Sequence, residues 1–121
     1  MHKGYTLIVM LFGILVSGAL LNPAYATHDA PRRVEVTAMR FGFEPAEITL
    51  KKGEPVDFAL KSADVPHGVR VRELDLDIKA NKGATADAHI TPDQTGTFVG
   101  HCSVFCGKGH GVMTLTIHVV D

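Results

Sequence analysis

The chain has 121 residues, of which 45% are hydrophobic and 21% are charged, and its formal net charge at pH 7 is −1. This length allows at most one domain, and the near-neutral charge excludes the basic stripe with which proteins bind nucleic acid. The sequence also contains no internal repeat, linker or low-complexity segment.

Residues 1–26 have the three-part pattern of a secretory signal peptide. A short basic opening precedes an uncharged apolar run over residues 5–21, and the small residues Ala24 and Ala26 follow. We predict cleavage after Ala26. The alternative is an uncleaved anchor that would keep the protein at a membrane, because the apolar run is only slightly shorter than the ~20 residues of a spanning helix. We expect a periplasmic or otherwise extracytoplasmic protein, whose free thiols are exposed to oxidation unless something occupies them.

The rest of the chain is predicted to be a flexible tail over residues 27–33 and one all-β domain over residues 34–121. Apolar and polar residues alternate in short runs bounded by turn residues, which indicates antiparallel strands near 34–38, 48–50, 56–60, 69–71, 84–90, 96–101 and 113–120. No helical pattern of useful length follows the signal segment. Because one face of each strand is apolar, two sheets must pack together as a small sandwich or barrel.

The predicted loop over residues 102–112, between the last two strands, holds most of the chemistry of the chain. The segment HCSVFCGKGHGVM supplies two thiols, one imidazole and one thioether, from Cys102, Cys106, His110 and Met113. Its three glycines allow the backbone to wrap tightly around a ligand. A loop at one end of a rigid sandwich is also a common place for a functional site.

Three kinds of site are compatible with this loop. A disulfide between the cysteines would close a very short loop, would stabilise the chain little, and would leave His110 and Met113 without a role. Zinc accepts two thiolates with two imidazoles, but it rarely binds a thioether, which copper accepts. Met113 can also be an ordinary core residue, because it has the same parity as Leu115 and Ile117.

A copper site on a β-sandwich usually needs a second imidazole, and His67 is the candidate. It lies in DVPHGVRV, between a proline and a glycine at the start of a predicted strand, as expected of a ligand held on a turn. A mononuclear site would need one cysteine only. If Cys102 and Cys106 are both thiolates, each can bridge two metals, and a core of two coppers and two sulfurs becomes possible.

The other histidines are predicted to lie outside the site: His2, His28, His89, His101 and His118. His101 precedes Cys102 on a predicted strand, where adjacent side chains face opposite ways. His118 lies on the face opposite Leu115 and is expected at the surface. No Ser/His/Asp or paired-carboxylate pattern indicates hydrolysis.

Together, the segments HCSVFCGKGHGVM and DVPHGVRV resemble the CuA domain of cytochrome c oxidase subunit II and of nitrous oxide reductase. The resemblance extends over nearly the whole predicted domain and implies a cupredoxin-like, Greek-key β-sandwich with a dinuclear copper centre. Carried over by position, it implies that Cys102 and Cys106 are the bridging thiolates and that His67 and His110 each bind one copper. It further implies that Met113 is a weak axial ligand and that Val104 supplies a backbone carbonyl.

The resemblance implies an exported one-electron carrier whose partners are cytochrome c, another redox protein, or a terminal oxidase or reductase. Catalysis and a small-molecule substrate are not expected, because two fully ligated coppers leave no open position. Oxidase members of the family have a tryptophan that accepts electrons and two membrane helices, whereas this chain has no tryptophan and at most one such helix. A copper chaperone or buffering protein that loads oxidase sites is therefore the alternative, and a zinc-bound or disulfide-linked structural module is a third, weaker hypothesis.

Overall fold

The structure, a computed structural model, describes residues 30–121. The predicted signal segment, the cleavage position and most of the predicted tail, with His2 and His28, lie outside the described residues. Within residues 30–121, no helix is long and apolar enough to cross a membrane.

The described residues form β-strands and two 3-10 turns, so the all-β prediction is confirmed. The strands are β1 (Arg32–Met39), β2 (Gly42–Glu44), β3 (Glu47–Lys51), β4 (Val56–Ser62), β5 (His67–Val71), β6 (Leu76–Ala80), β7 (Thr85–Ile90), β8 (Gly96–His101) and β9 (Thr114–Val120). The 3-10 turns are Arg72–Leu74 and His110–Val112. Every predicted strand overlaps an observed one, whereas β2 and β6 were not predicted. β1 begins at Arg32, two residues earlier than the predicted boundary, because Arg32 already pairs with Val56 of β4.

The strands form two sheets that pack face to face. One sheet has the order β2-β1-β4-β7 and the other the order β3-β9-β8-β5-β6. Burial alternates along β3 and β9, as expected for strands with one face on a core and one face towards solvent. The fully buried side chains of both sheets make one apolar core, whose largest members include Val36, Leu50, Phe58, Leu60, Leu76, Leu115 and Ile117.

The prediction of purely antiparallel strands is wrong for two of the pairs. β1 pairs with β4 in parallel, and β3 pairs with β9 in parallel. Neither pair is joined by a hairpin, because at least one strand of the other sheet lies between its two members in the chain. A period of two in the sequence is the same for both kinds of pairing and therefore cannot distinguish them.

The strand order brings two distant loops to the same end of the five-stranded sheet. β5 begins at His67, β8 ends at His101, and these strands are antiparallel neighbours. The start of β5 and the end of β8 therefore lie side by side. The backbone N–H of Ser103 donates a hydrogen bond to the carbonyl of Gly68 at 3.4 Å, which joins the two loops directly.

The core makes a prediction about stability. Leu50 is fully buried at the edge of the five-stranded sheet, away from the residues 102–113, and its replacement by alanine leaves a cavity. We expect Leu50→Ala to lower the free energy of unfolding by roughly 2–5 kcal/mol, as measured by denaturant titration. Val120→Ala, at a side chain that is 44% exposed on β9, should change it by less than about 0.5 kcal/mol. Equal effects of the two variants would contradict this account of the core.

Candidate metal centre

The loop after β8 folds back so that its two ends meet. The backbone N–H of Cys102 donates to the carbonyl of Met113 at 3.2 Å, which closes the loop at its base. Inside it, His110 N–H donates to the carbonyl of Gly107 at 3.2 Å and Met113 N–H to that of His110 at 3.3 Å. The bond of Met113, together with that from Val112 N–H to the carbonyl of Gly109 at 3.1 Å, forms the 3-10 turn that begins at His110 and leads into β9. These backbone hydrogen bonds fix the path of the loop.

His67, Cys102 and Cys106 form a buried cluster at this end of the sandwich. One ligand atom from each residue lies within 4.8 Å of the other two. His67 is fully buried, each cysteine is only 5% exposed, and both thiols are free. The Nδ1 atom of His67 lies 3.9 Å from Sγ of Cys102. The imidazole predicted from DVPHGVRV is thus next to the thiols, although 35 residues separate them in sequence.

The remaining predicted residues surround the same pair of sulfurs. Sγ of Cys106 lies 3.8 Å from Nδ1 of His110, and its thiol donates to Sδ of Met113 at 3.3 Å. The thiol of Cys102 donates to the carbonyl oxygen of Val104 at 3.1 Å. All six residues of the predicted ligand set are therefore brought together. Met113 is fully buried, so it is a core residue and a neighbour of the sulfurs at once.

Asp64 fixes the orientation of the buried imidazole. Its Oδ1 lies 2.7 Å from Nε2 of His67, so the other ring nitrogen, Nδ1, is the one that points to the thiols. The carboxylate also accepts the backbone N–H groups of Arg40 at 2.9 Å and of Val65 at 2.8 Å. These hydrogen bonds, with that of Arg40 the strongest influence, lower the pKa of Asp64 from 3.8 to about 2. A carboxylate behind a histidine is the usual way to orient a metal-binding imidazole.

The two sulfurs are an unfavourable pair of anions in the absence of a cation. Burial raises the pKa of the Cys106 thiol, and the neighbouring Cys102 raises it further. Buried charges are stable only when they are paired or bound to a metal. A metal ion would supply the missing positive charge, and it would require both sulfurs to be deprotonated on binding.

Arg40 and Phe41, at the turn after β1, hold the loop from outside. Nε of Arg40 donates to the carbonyl of Cys106 at 3.0 Å. The ring of Phe41 lies so close to Gly109 that a Cβ atom there would be 2.4 Å from its Cγ. Gly107 has a φ of +137° and also faces this ring. Gly109 is therefore required by its contact with Phe41, and Gly107 is favoured by its positive φ.

Asp64, Arg40 and Phe41 were not predicted from the sequence. Asp64 lies inside the quoted motif, three residues before His67, and that spacing is a usable signal. Arg40 and Phe41 carry no such signal, because their partners in the loop are more than sixty residues away, as the separation of 66 between Arg40 and Cys106 illustrates.

The other described histidines lie elsewhere. His101 is exposed on β8, and His89 is exposed on β7 beside the carboxylate of Asp57. His118 is partly exposed on the outer face of β9, between Thr97 at 3.1 Å and Glu47 at 3.4 Å.

The donor set suits a soft metal ion. His67, Cys102 and Cys106 alone would be compatible with zinc or copper. The thioether of Met113 beside a thiol favours copper, since thioethers are soft ligands that zinc rarely uses. The residues present therefore fit the copper centre that the sequence predicts.

Comparison with known proteins gives a consistent result. The cupredoxin-like domain family matches residues 6–115. "Cytochrome c oxidase subunit 2" of Thermus thermophilus is 26% identical over 134 aligned positions, covering 97% of this chain and 99% of that protein. The periplasmic domain of subunit II of cytochrome oxidase of Bradyrhizobium japonicum superimposes with a TM-score of 0.68 at 20% identity, over 74% of this chain and 84% of that one. A chain from a heme-copper terminal oxidase dimer gives 0.67 at 28% identity, over 78% of this chain and 68% of that one.

The hydrogen bonds of Asp64 predict how the metal-free protein responds to acid. Because the folded-state pKa of about 2 is below the ordinary value of 3.8, the carboxylate stabilises the fold above pH 4 and loses this contribution as the pH falls towards 2. We expect Asp64→Asn to be less stable than wild type at neutral pH and to lose less stability between pH 4 and pH 2. Denaturant titrations at several pH values measure both. Asp93→Asn, which removes an exposed carboxylate from the loop before β8, is the control and should keep the wild-type profile.

Proposed function

Because the chain belongs to the cupredoxin-like domain family, we propose that it is an extracytoplasmic copper protein with a dinuclear CuA-type centre, acting as a one-electron carrier similar to cytochrome c oxidase subunit II. The observation that carries this proposal is that two free thiols lie next to two imidazoles, one from the start of β5 and one from the loop after β8. The predicted signal segment and the similarity to a periplasmic domain support the extracytoplasmic location.

The distribution of donors around the sulfurs supports two metal ions rather than one. Cys102 has its own imidazole, from His67, and its own oxygen donor, the carbonyl of Val104. Cys106 has a second imidazole and the thioether as its neighbours. The donors therefore form two similar groups, one around each sulfur. A single ion would leave some of these donors without a metal to bind.

When bound, a pair of coppers bridged by thiolates would supply reversible one-electron chemistry with the charge spread over both ions. The chain contributes burial and rigidity to this task. His67, Cys102, Cys106 and Met113 are all buried, so water has little access to the sulfurs. Each donor is held by a strand end or by the hydrogen-bonded loop, so donor positions change little on electron transfer. Protein donors fill the site, and this favours electron transfer over catalysis.

Two large apolar side chains are exposed on the loop of the site. Phe105 is 79% exposed and Val112 is 74% exposed, and both lie on the loop that carries the thiols. The ring of Phe105 lies 5.6 Å from that of His110, centroid to centroid. Exposed apolar patches with a polar rim are typical of protein interfaces. We propose that cytochrome c, another redox protein, or a terminal oxidase or reductase docks here.

Copper loading of oxidase sites by a chaperone is the competing function. A donor chaperone has to release its metal to the recipient. Here His67 is fully buried and hydrogen-bonded to Asp64, and both cysteines are buried. This burial favours a resident metal centre over a transferable one.

Copper loading tests the dinuclear centre. We expect the purified protein to bind two coppers per chain and to give the purple, mixed-valence species of a CuA centre by absorption and electron paramagnetic resonance. Cys106→Ser should abolish this spectrum, whereas His89→Gln on β7 should retain it. A single copper with a blue or colourless spectrum, or zinc as the metal in protein from the native host, would overturn the proposal.

Electron exchange tests the carrier function. We expect Phe105→Ser with Val112→Ser to lower the second-order rate of electron exchange with a cytochrome c by roughly tenfold, with the copper spectrum unchanged, because the variant loses apolar contact area. Val99→Ser is the matched control, since Val99 is 47% exposed but lies on β8, outside the loop. A wild-type protein that passes copper to an apo-oxidase domain but exchanges no electrons would instead show the chaperone function.

A further inference from the structure

Arg40 contacts both of the loops that carry the proposed ligands. It directly follows β1, in the turn before β2, within the four-stranded sheet. Its backbone N–H donates to Oδ2 of Asp64 at 2.9 Å, and its guanidinium Nε donates to the carbonyl of Cys106 at 3.0 Å. One residue of the first sheet thus reaches the loop before β5 and the loop after β8.

These bonds form a continuous connection across the site. Asp64 uses its other oxygen to hold Nε2 of His67 at 2.7 Å. The connection therefore runs from the buried imidazole through Asp64 and Arg40 to the backbone of Cys106. The direct backbone link between the loops is longer, 3.4 Å from Ser103 N–H to the carbonyl of Gly68.

The guanidinium of Arg40 donates its hydrogen bond to the backbone of the loop after β8 and not to a carboxylate. Within residues 30–121, the ion pairs of arginine involve Arg32, Arg33 and Arg70, and Arg40 forms none. A guanidinium stays protonated at all accessible pH values and has a planar, fixed set of donors. Its positive charge beside Cys106 is therefore permanent and is not neutralised by a salt bridge in the described part of the chain.

We propose that Arg40 is a positioning residue that fastens the loop after β8 to the loop before β5 and places a permanent positive charge beside Cys106. The charge part of this inference rests on the proposed copper centre. A nearby cation favours the state with more electron density, so Arg40 raises the reduction potential of a centre bound there. The positioning part does not need the metal, because the hydrogen bonds are made by the protein alone.

Three variants separate the two effects. Arg40→Gln removes the charge and the guanidinium, whereas Arg40→Lys keeps the charge and loses the planar donor. Arg33→Gln is the matched control, because Arg33 is an exposed arginine of β1, the strand that precedes Arg40, and pairs with Asp87 of β7. All three are compared with wild type in the full-length protein.

Amide hydrogen exchange of the metal-free protein measures the positioning effect. We expect Arg40→Gln and Arg40→Lys to increase exchange at residues 102–113 by roughly tenfold, the effect of losing a hydrogen bond to a charged group. Exchange in β4 and β9 should stay as in wild type, which distinguishes a loosened loop from a poorly folded variant. Loop exchange equal to that of Arg33→Gln would overturn the positioning role.

The reduction potential of the copper-loaded protein measures the charge effect. Against a reference redox couple, we expect Arg40→Gln to shift the equilibrium roughly tenfold towards the oxidised centre and Arg40→Lys to shift it much less. A potential equal to that of Arg33→Gln would overturn the charge effect. Failure of wild type itself to bind two coppers would overturn the proposed function, while the exchange measurement would still decide the role of Arg40 in positioning.

Discussion

Cys102 and Cys106 place two buried sulfur atoms side by side, each with an imidazole nitrogen within 4 Å, at 3.9 Å and 3.8 Å. Two anionic sulfurs in a buried environment repel each other and lack the solvation of water, so their ionised form depends on a cation. The surrounding features are explained by this requirement. The loop closes on itself to keep water out, its glycines let Phe41 cover it, and Asp64 directs one nitrogen of His67 towards the thiols.

The sandwich contributes a rigid frame rather than chemistry. Antiparallel pairing of β5 with β8 brings the start of one strand next to the end of the other. The loop before β5 and the loop after β8 therefore lie at the same end of the sheet. Met113 connects the frame to the site, since it is fully buried in the core and also touches Cys106. The fold is shared with solved subunit II domains of low sequence identity. The donors, rather than the frame, therefore decide what such a domain does.

Much of this arrangement is predictable from the sequence. Alternation identified the strands with strong apolar residues, such as β4 and β9, and the spacing of cysteine, histidine and methionine identified the loop. β6 was missed although Leu76, Ile78 and Ala80 alternate in it, and the three residues of β2 are too few for a pattern. Parallel pairing was missed because alternation has no direction. Arg40 and its bond to a backbone carbonyl were missed because main-chain acceptors leave no trace in a sequence.

The two imidazoles differ in their access to solvent, since His67 is fully buried whereas His110 is only partly so. On the proposed function, metal ions reach the sulfurs through the side of His110, and the same side presents Phe105 and Val112. A redox partner docked there would then cover the more exposed of the two imidazoles. On this proposal, metal insertion would have to precede the binding of the first partner, because a complex formed earlier would block the loading of the centre.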